Sequence, residues 1–436
     1  VEEELAALRA RMDNTRITGD ARFRYNVFAH SGISSGTAAG ARTRARLTFT
    51  GTGGPNTNYV VRIWAANNID AALYDVNIGE QSYHAVTWDL SYLDIRNTWG
   101  ASLWRVGRQL YSLGLVSPFG GALLYDPNNS FGAGSFSGAV PAGLLGNNPT
   151  CDNTVGTTNN CTLAPGAQRA GLSEGIRADF MVGPLGITLG YFRENTVSTT
   201  FGSGGAGQRD FRLVRVQSGA LLPGWTIGGH YFQEYQKPSP AASTPGGIGW
   251  GLDISGNLIP GLRLYADWAN WNSRPFTGAA AVGNASAWRI GGNANFNTLF
   301  GGSIPWNPNL DFEYKNYGAL PAGGIPPTFT YATTWLGQYH AWNMRGWQAR
   351  LNLTFGPRTA GWISYEGGTI ISTGQNYNEW WIRATHMLAA NTTLALNYYR
   401  TSCGVQGGAP CPGFNPGTVV GGVFDHFYRA ELLYSF

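Results

Sequence analysis

The chain has 436 residues, of which 62 are glycine, 13% are aromatic and only 12% are charged, and no apolar run approaches the ~18 to 20 residues that a membrane helix requires. A helical membrane protein is therefore excluded. Glycine at this density costs a helix about 1 kcal/mol per position relative to alanine, which excludes an all-helical soluble fold. The net charge of +4 hides a skew, because among 29 basic residues only Lys237 and Lys315 are lysines. Arginine is a permanently charged planar fork that suits fixed positions lining a site. Charge at about half its usual share beside abundant aromatics points to a surface that does not face water throughout.

The chain opens at Val1 with no signal peptide, the expectation for a processed or trimmed product. Residues 1–13 stand apart: VEEELAALRARM is charged and free of glycine, and it spaces Val1, Leu5, Leu8 and Met12 as a heptad seam. Twelve residues are marginal as an isolated helix, so the segment reads as the end of a periplasmic coiled coil or as a short capping helix.

From residue 15 to 436 the hydrophobic period is two. Ile17, Gly19, Ala21, Phe23, Tyr25 and Val27 alternate with Arg16, Thr18, Asp20, Arg22, Arg24 and Asn26. Ala41, Thr43, Ala45, Leu47 and Phe49 alternate with Arg42, Arg44, Arg46, Thr48 and Thr50, and the pattern returns at 248–255 and 347–355. With less regular segments at 57–66, 83–95, 101–109, 175–182, 185–194 and onward, about 18 strands are expected, within 16 to 20. Their connections sort by length. Tight ones with turn chemistry, such as 51–56, 182–185, 221–224, 258–261, 355–358 and 388–391, alternate with long ones at 28–40, 67–82, 110–174, 195–208, 236–246, 272–286, 317–343, 368–378 and 401–424. This is the plan of a transmembrane antiparallel up-and-down β-barrel; a β-sandwich rarely sorts its loops so.

Strand number then fixes the orientation. A closure of this size leaves an aqueous interior, so the polar face points inward and the apolar face meets lipid. Trp88, Trp104, Trp225, Trp268, Trp288, Trp347 and Trp380, with Tyr25, Tyr92, Tyr314 and Tyr398, fall near the ends of apolar faces, as interfacial girdles require. The last strand, DHFYRAELLYSF, puts Leu432, Tyr434 and Phe436 on one face. It resembles the terminal strand that outer-membrane barrels present to their insertion machinery, which is thereby an expected partner.

The helix stub joined to ITGDARFRY, followed by RTRARLTFT, VGRQ at 106–109 and GALLYD at 121–126, resembles the porins that carry an S-layer homology domain and a coiled coil before their barrel. The resemblance implies a bacterial outer-membrane location and a general porin, a homotrimer, among lipid bilayer and lipopolysaccharide. It also implies a tether to the cell wall through an N-terminal domain outside this chain.

The pore-lining candidates are Arg16, Arg22, Arg24, Arg42, Arg44, Arg46, Arg62, Arg105, Arg177, Arg289 and Arg350, offset in part by Asp20, Asp179, Asp253, Asp267, Asp311, Glu313 and Glu431. Fixed cations in a lumen attract anions, so passive diffusion of ions and small hydrophilic solutes with mild anion preference is expected. Arg105 and Arg108 differ in parity, which calls for a bulge near Gly107 or for Arg108 to belong to the loop. The third loop, 110–174, begins with an apolar YSLGLVSPFGGALLYD that would be costly on an exposed surface. It is expected to fold inward as a constriction bearing Phe119, Tyr125 and Asp126, the alternative being an external lid. Cys151 with Cys161 and Cys403 with Cys411 read as loop-closing disulfides.

No HExxH, GxSxG, Walker or CxxC motif is present. No enzyme activity, cofactor, metal site or nucleic-acid partner is expected. Alternatives to a diffusion channel are an envelope protein whose barrel is only an anchor, and a substrate-specific channel for a sugar or organic acid along Trp271, Trp381 and Phe192.

Overall fold

The computed structural model describes residues 3–4, 14–30, 36–68, 86–109, 111–119, 123, 173–194, 209–236, 247–273, 284–318, 344–371, 374, 376–403 and 424–436. Eighteen strands run in chain order. The first six are β1 (Thr15–His30), β2 (Gly36–Gly54), β3 (Thr57–Asn68), β4 (Val86–Thr98), β5 (Ala101–Gln109) and β6 (Ser173–Val182). Next come β7 (Leu185–Glu194), β8 (Arg209–Leu222), β9 (Trp225–Gln236), β10 (Gly247–Ile259), β11 (Leu262–Ser273) and β12 (Asn284–Asn295). The last six are β13 (Asn309–Tyr317), β14 (Met344–Gly356), β15 (Thr359–Ile370), β16 (Asn376–Ala389), β17 (Thr392–Cys403) and β18 (Phe424–Ser435). Every neighbour pair is antiparallel, and β1 is bonded to both β2 and β18, so the sheet closes on itself. Closure removes the unpaired edges that hydrocarbon cannot tolerate. The architecture is the all-β barrel expected.

The closing seam runs to the last residue. Phe436 and Gly19 exchange backbone hydrogen bonds of 2.8 and 3.0 Å. A Cβ on Gly19 would lie 2.6 Å from the Phe436 ring and 2.5 Å from the Arg46 carbonyl, so the absent side chain is the space the terminal aromatic occupies. Leu432, Tyr434 and Phe436 are 40 to 51% exposed on the outer face.

The parity of the sequence is the parity of the wall. Odd positions of β1 and β2, such as Ile17, Phe23 and Leu47, and even positions of β10, β12 and β16, such as Leu252, Ile290 and Ile382, are exposed. Their alternates Arg22, Arg24, Asp253, Arg289 and Glu379 are buried. Oily side chains therefore cover the outside and charged ones the inside, the inverse of a soluble barrel. Outer aromatics cluster toward the strand ends. Trp104 lies near the turns against Trp99 and Phe180; Trp250 with Trp268 (4.6 Å) and Trp288 with Tyr314 (5.5 Å) lie toward the loops.

Seven hairpins close in two residues: 55–56, 99–100, 183–184, 223–224, 260–261, 357–358 and 390–391. In the Pro223–Gly224 turn, proline sets the first φ and glycine supplies the second, +79°. The connection from β12 to β13 at this same end differs, holding a one-turn helix α1 (Phe296–Phe300) capped by the Asn295 side chain. Two supposedly long loops shrink. β1 and β2 pair as far as His30 and Gly36, leaving 31–35, and β15 and β16 leave only 371–375.

Other expectations need correction. Tyr92 is not a girdle residue, since the Arg105 guanidinium stacks on its ring at 4.0 Å on the inner face. Neither a bulge nor a loop accommodates Arg108. β5 stays in register with β6 through Gln109, and Arg108, opposite Glu174, lies on the face away from Arg105. Among residues 1–13 only Glu3 and Glu4 are described, both helical; a short N-terminal helix is not shown, and the coiled coil lies outside the described residues. No helix among the described residues is long and apolar enough to cross a membrane, which is silent about strands.

Leu252 tests the orientation directly, because it is 58% exposed in mid-strand. In a lipid bilayer Leu252→Arg should destabilise the barrel by roughly 2 to 4 kcal/mol, read from denaturant titration in phospholipid vesicles. On a water-facing surface the same change would stay within about 0.5 kcal/mol.

Candidate functional site: the charged inner wall and the segment laid against it

The arginine-rich strands sit side by side around the seam. Across β1 and β2, Arg22 faces Arg44 and Arg24 faces Arg42, an arrangement of like charges that is unfavourable unless acids intervene. Two do. Arg24 donates to Glu431 of β18, with Arg22 at 3.9 Å and Arg383 of β16 at 3.6 Å from the same carboxylate. Asp20 accepts from Arg44 at 2.9 Å and from Arg46 at 2.7 Å. Among the described residues five guanidiniums thus lie within 4.0 Å of two carboxylates. Arg46 and Arg383 retain the most contact with solvent.

The opposite wall, β8 to β15, is richer in acid and far drier. Asp253 accepts both arms of Arg215, at 2.6 and 2.9 Å. The pair bridges from β8 to β10 across Gly228, where a Cβ would meet the guanidinium at 2.7 Å. Arg289 donates to Asp267 at 3.0 Å and lies 4.0 Å from Glu313; Lys315 donates to Glu366 at 2.5 Å. Arg215 is 10% exposed, and the other side chains of this set are at most 2% exposed. Burying such ions is costly unless they are paired and hydrogen-bonded, and here each charge has its counter-ion within reach.

Their cover is the start of the third loop. Leu113, Leu115, Phe119 and Leu123 are buried, and the segment's polar groups meet inner-wall side chains. Arg289 donates to the Leu115 carbonyl at 2.7 Å, Ser117 to Glu313 at 2.6 Å, and Arg350 to the Pro118 carbonyl at 3.1 Å. Tyr265 donates to the same Glu313 at 2.9 Å. The Phe119 ring lies beneath the Arg350 guanidinium at 5.2 Å, and Tyr111 stacks on Phe192 under Arg177. Gly114 has φ +112° and packs against the His230 ring, which a side chain at 114 would press. Residues 111–119 therefore lie inside the barrel, latched to β11–β14.

The predicted site residues divide accordingly. Arg22, Arg24, Arg44 and Arg46 come together, while Arg16 is exposed near the turns. Arg62 is half-buried on β3. Arg105 pairs with Asp94 and Arg177 with Asp179. Arg289 is on the inner face but sealed beneath the loop segment rather than open to solvent, and Arg350 pairs with Asp311 at its margin. The side chains of Arg42, Trp88, Trp271 and Cys403, and all of Tyr125, Asp126, Cys151, Cys161 and Cys411, lie outside the described residues. Phe192 is fully buried, so it offers no surface to a solute. Sequence reasoning missed Trp362, which packs edge-on against Trp381 at 4.7 Å on the inner face; its only signal was inward parity on β15.

Glu313 is the latch's shared acceptor. Glu313→Ala leaves the Ser117 and Tyr265 hydroxyls without this acceptor in a dry site, a cost of roughly 1 to 3 kcal/mol for each buried group left unsatisfied. Single-channel records should then show added transitions between conductance levels, with Ser117→Ala giving a weaker version of the same noise. Quiet, unaltered records from both variants would contradict the latch.

No family model matches the chain, and no curated protein matches it in sequence. Solved structures do match along nearly the whole length. OccK11 (OpdR) of Pseudomonas aeruginosa superposes with a TM-score of 0.53 at 13% identity, over 97% of this chain and 96% of that one. OccAB2 of Acinetobacter baumannii gives 0.55 at 11%, over 97% and 98%. The outer membrane protein OpdK of Pseudomonas aeruginosa gives 0.52 at 10%, again over 97% and 98%. Nothing in these matches speaks for an S-layer homology domain or a coiled coil. At such identities the likeness is one of fold, and the fold this chain shares is the eighteen-stranded barrel of outer-membrane porins.

Proposed function

We propose that the protein is an outer-membrane porin, a water-filled channel for passive diffusion of ions and small hydrophilic solutes, with mild preference for anions. The observation that carries the reading is the gathering of Arg22, Arg24, Arg383, Arg44 and Arg46 on the inner face around Glu431 and Asp20, with Arg46 and Arg383 in contact with solvent. Solvent-touching guanidiniums along an enclosed aqueous path raise the local concentration of anions, and the effect weakens with salt. The segment at 111–119 narrows the passage from the β11–β14 side, so permeation runs past the arginine wall. Catalysis has no part in this reading. The homotrimer and the tether to the cell wall, implied by the resemblance at the N-terminal stub, are separable parts of the proposal; cross-linking in membranes and co-sedimentation of the full-length protein with peptidoglycan test them.

A second reading, a channel selective for a sugar or organic acid, is favoured by one feature. Trp362 and Trp381 present rings on the inner face, with the Arg350 guanidinium 5.9 Å from the Trp362 centroid and Arg383 opposite Trp362 in register. A ring-bearing carboxylate would satisfy both groups, and its competition with ion current would reveal it.

Reversal potentials across a potassium chloride gradient in planar bilayers decide the main proposal. Anion preference is expected, and Arg46→Ser with Arg383→Ser should move the reversal potential toward zero while conductance persists. Cation preference in the unmodified protein would refute the anion claim, and absence of any conductance would leave the barrel as an anchor.

A further inference from the structure

One titratable side chain of the inner wall lies under the latched segment with few partners. The His230 side chain of β9 is 0% exposed, and among the described residues neither of its ring nitrogens has a hydrogen-bond partner. Its ring packs on Gly114, where a Cβ would lie 3.1 to 3.5 Å from three ring atoms. On its other side a Cβ on Gly251 of β10 would collide with Nε2. Two glycines thus make the room that the imidazole fills, one in the wall and one, with φ +112°, in the segment.

Charged groups reach the ring from three strands. Arg215 of β8 stands directly opposite in register, and one oxygen of Asp253 of β10 lies 3.4 Å from Nδ1. Asp267 of β11 is the register partner of Asp253. From the segment, Tyr111 is the one titratable group among the described residues, and it stacks on Phe192. Asp253 already accepts both arms of Arg215, at 2.6 and 2.9 Å. Nδ1 therefore has a carboxylate at ion-pair distance, whereas Nε2 faces glycine.

Imidazole is the side chain whose charge changes nearest to neutral pH, and its cationic form carries a donor on both nitrogens. The neutral ring has one donor and can turn it to Asp253. The cation adds a second N–H, at Nε2, which meets no acceptor, and it sets a like charge across the ladder from Arg215. A buried cation with an unmet donor is costly until water reaches it. What covers the ring is Gly114, which no hydrogen bond joins to His230; the cover is held through its neighbour, the Leu115 carbonyl, by Arg289.

We propose that His230 makes the latch acid-sensitive: protonation of its ring brings water beneath Gly114, lifts residues 113–115 off the β9–β10 wall and widens the passage. Acid thus opens rather than closes. The inference rests on the channel reading for its electrical readout alone, because displacement of the segment can be followed without current.

The test pairs single-channel records with hydrogen exchange of residues 111–119 in the folded full chain, between about pH 7.5 and about pH 5.5, an interval in which ordinary carboxylates stay ionised. Exchange is corrected for its intrinsic pH dependence. A larger conductance level should gain population about tenfold on acidification, as for an ordinary imidazole solvated only when the segment is off, and exchange in the segment should quicken with it. His230→Gln and His230→Phe should abolish the pH dependence of both readouts. Gly114→Ala, which leaves His230 in place and presses on its ring, should show the larger level already at neutral pH. An acid response that survives in both His230 variants belongs to the carboxylates and overturns the proposal. So does conductance that falls on acidification, exchange indifferent to pH, or a Gly114→Ala channel that keeps the smaller level. A segment that loosens with acid as expected in a barrel that passes no current would leave the latch standing and sink the channel reading alone.

Discussion

Everything in this molecule follows from the requirement that a backbone in hydrocarbon find all its hydrogen bonds within the protein. The pairing of β1 with both β2 and β18 meets it by leaving no strand unpaired on either side. Once the sheet is closed, the two-residue period of each strand separates two solvents. The same alternation that exposes Phe23 and Leu252 turns Arg22, Arg24 and Asp253 inward. Because eighteen strands enclose more space than their own side chains can fill, the inward positions can be charged, and the wall acquires a chemistry that a small, side-chain-filled barrel could not hold.

That chemistry is divided across the lumen. Around the seam, arginines outnumber acids and touch water at Arg46 and Arg383. On the far side the ions are dry, and segment 111–119 is the reason. Its leucines are buried beside Arg289 and Glu313, while its carbonyls and the Ser117 hydroxyl supply hydrogen bonds that exclusion of water would otherwise forfeit. Apolar packing and polar latch are mutually dependent here. Without the leucines the ionic contacts would be screened, and without the contacts Arg289 and Glu313 would each lose a hydrogen-bond partner in a dry site.

Much of this was legible in the sequence. The alternation in β1, β2, β10 and β14 is unambiguous, and the sorting of connections by length gave the up-and-down order. The apolar run after Gln109 signalled an inward segment, but its partners lie some 170 to 230 positions away, and no local pattern could name Leu115 with Arg289 or Pro118 with Arg350. Tyr92 was misassigned because β4 carries leucines on both faces, Leu90 buried and Leu93 exposed, so parity there is ambiguous. The helix α1 escaped notice because FNTLF continues the composition of a strand; only the Asn295 cap and the Gly301 left-handed residue mark its ends. The strand extensions that shorten loops 28–40 and 368–378 carry no change in hydropathy at all.

The seam between Gly19 and Phe436 has a kinetic corollary. It sets residue 20 against residue 435, the greatest sequence separation of any pairing in the sheet, while every other neighbour is joined through consecutive strands. Loop-closure entropy penalises so distant a contact before any bond rewards it, so a barrel assembled from local hairpins acquires this joint last. Until then β1 and β18 are both open templates, and a nascent sheet in transit would need some other protein to shield them.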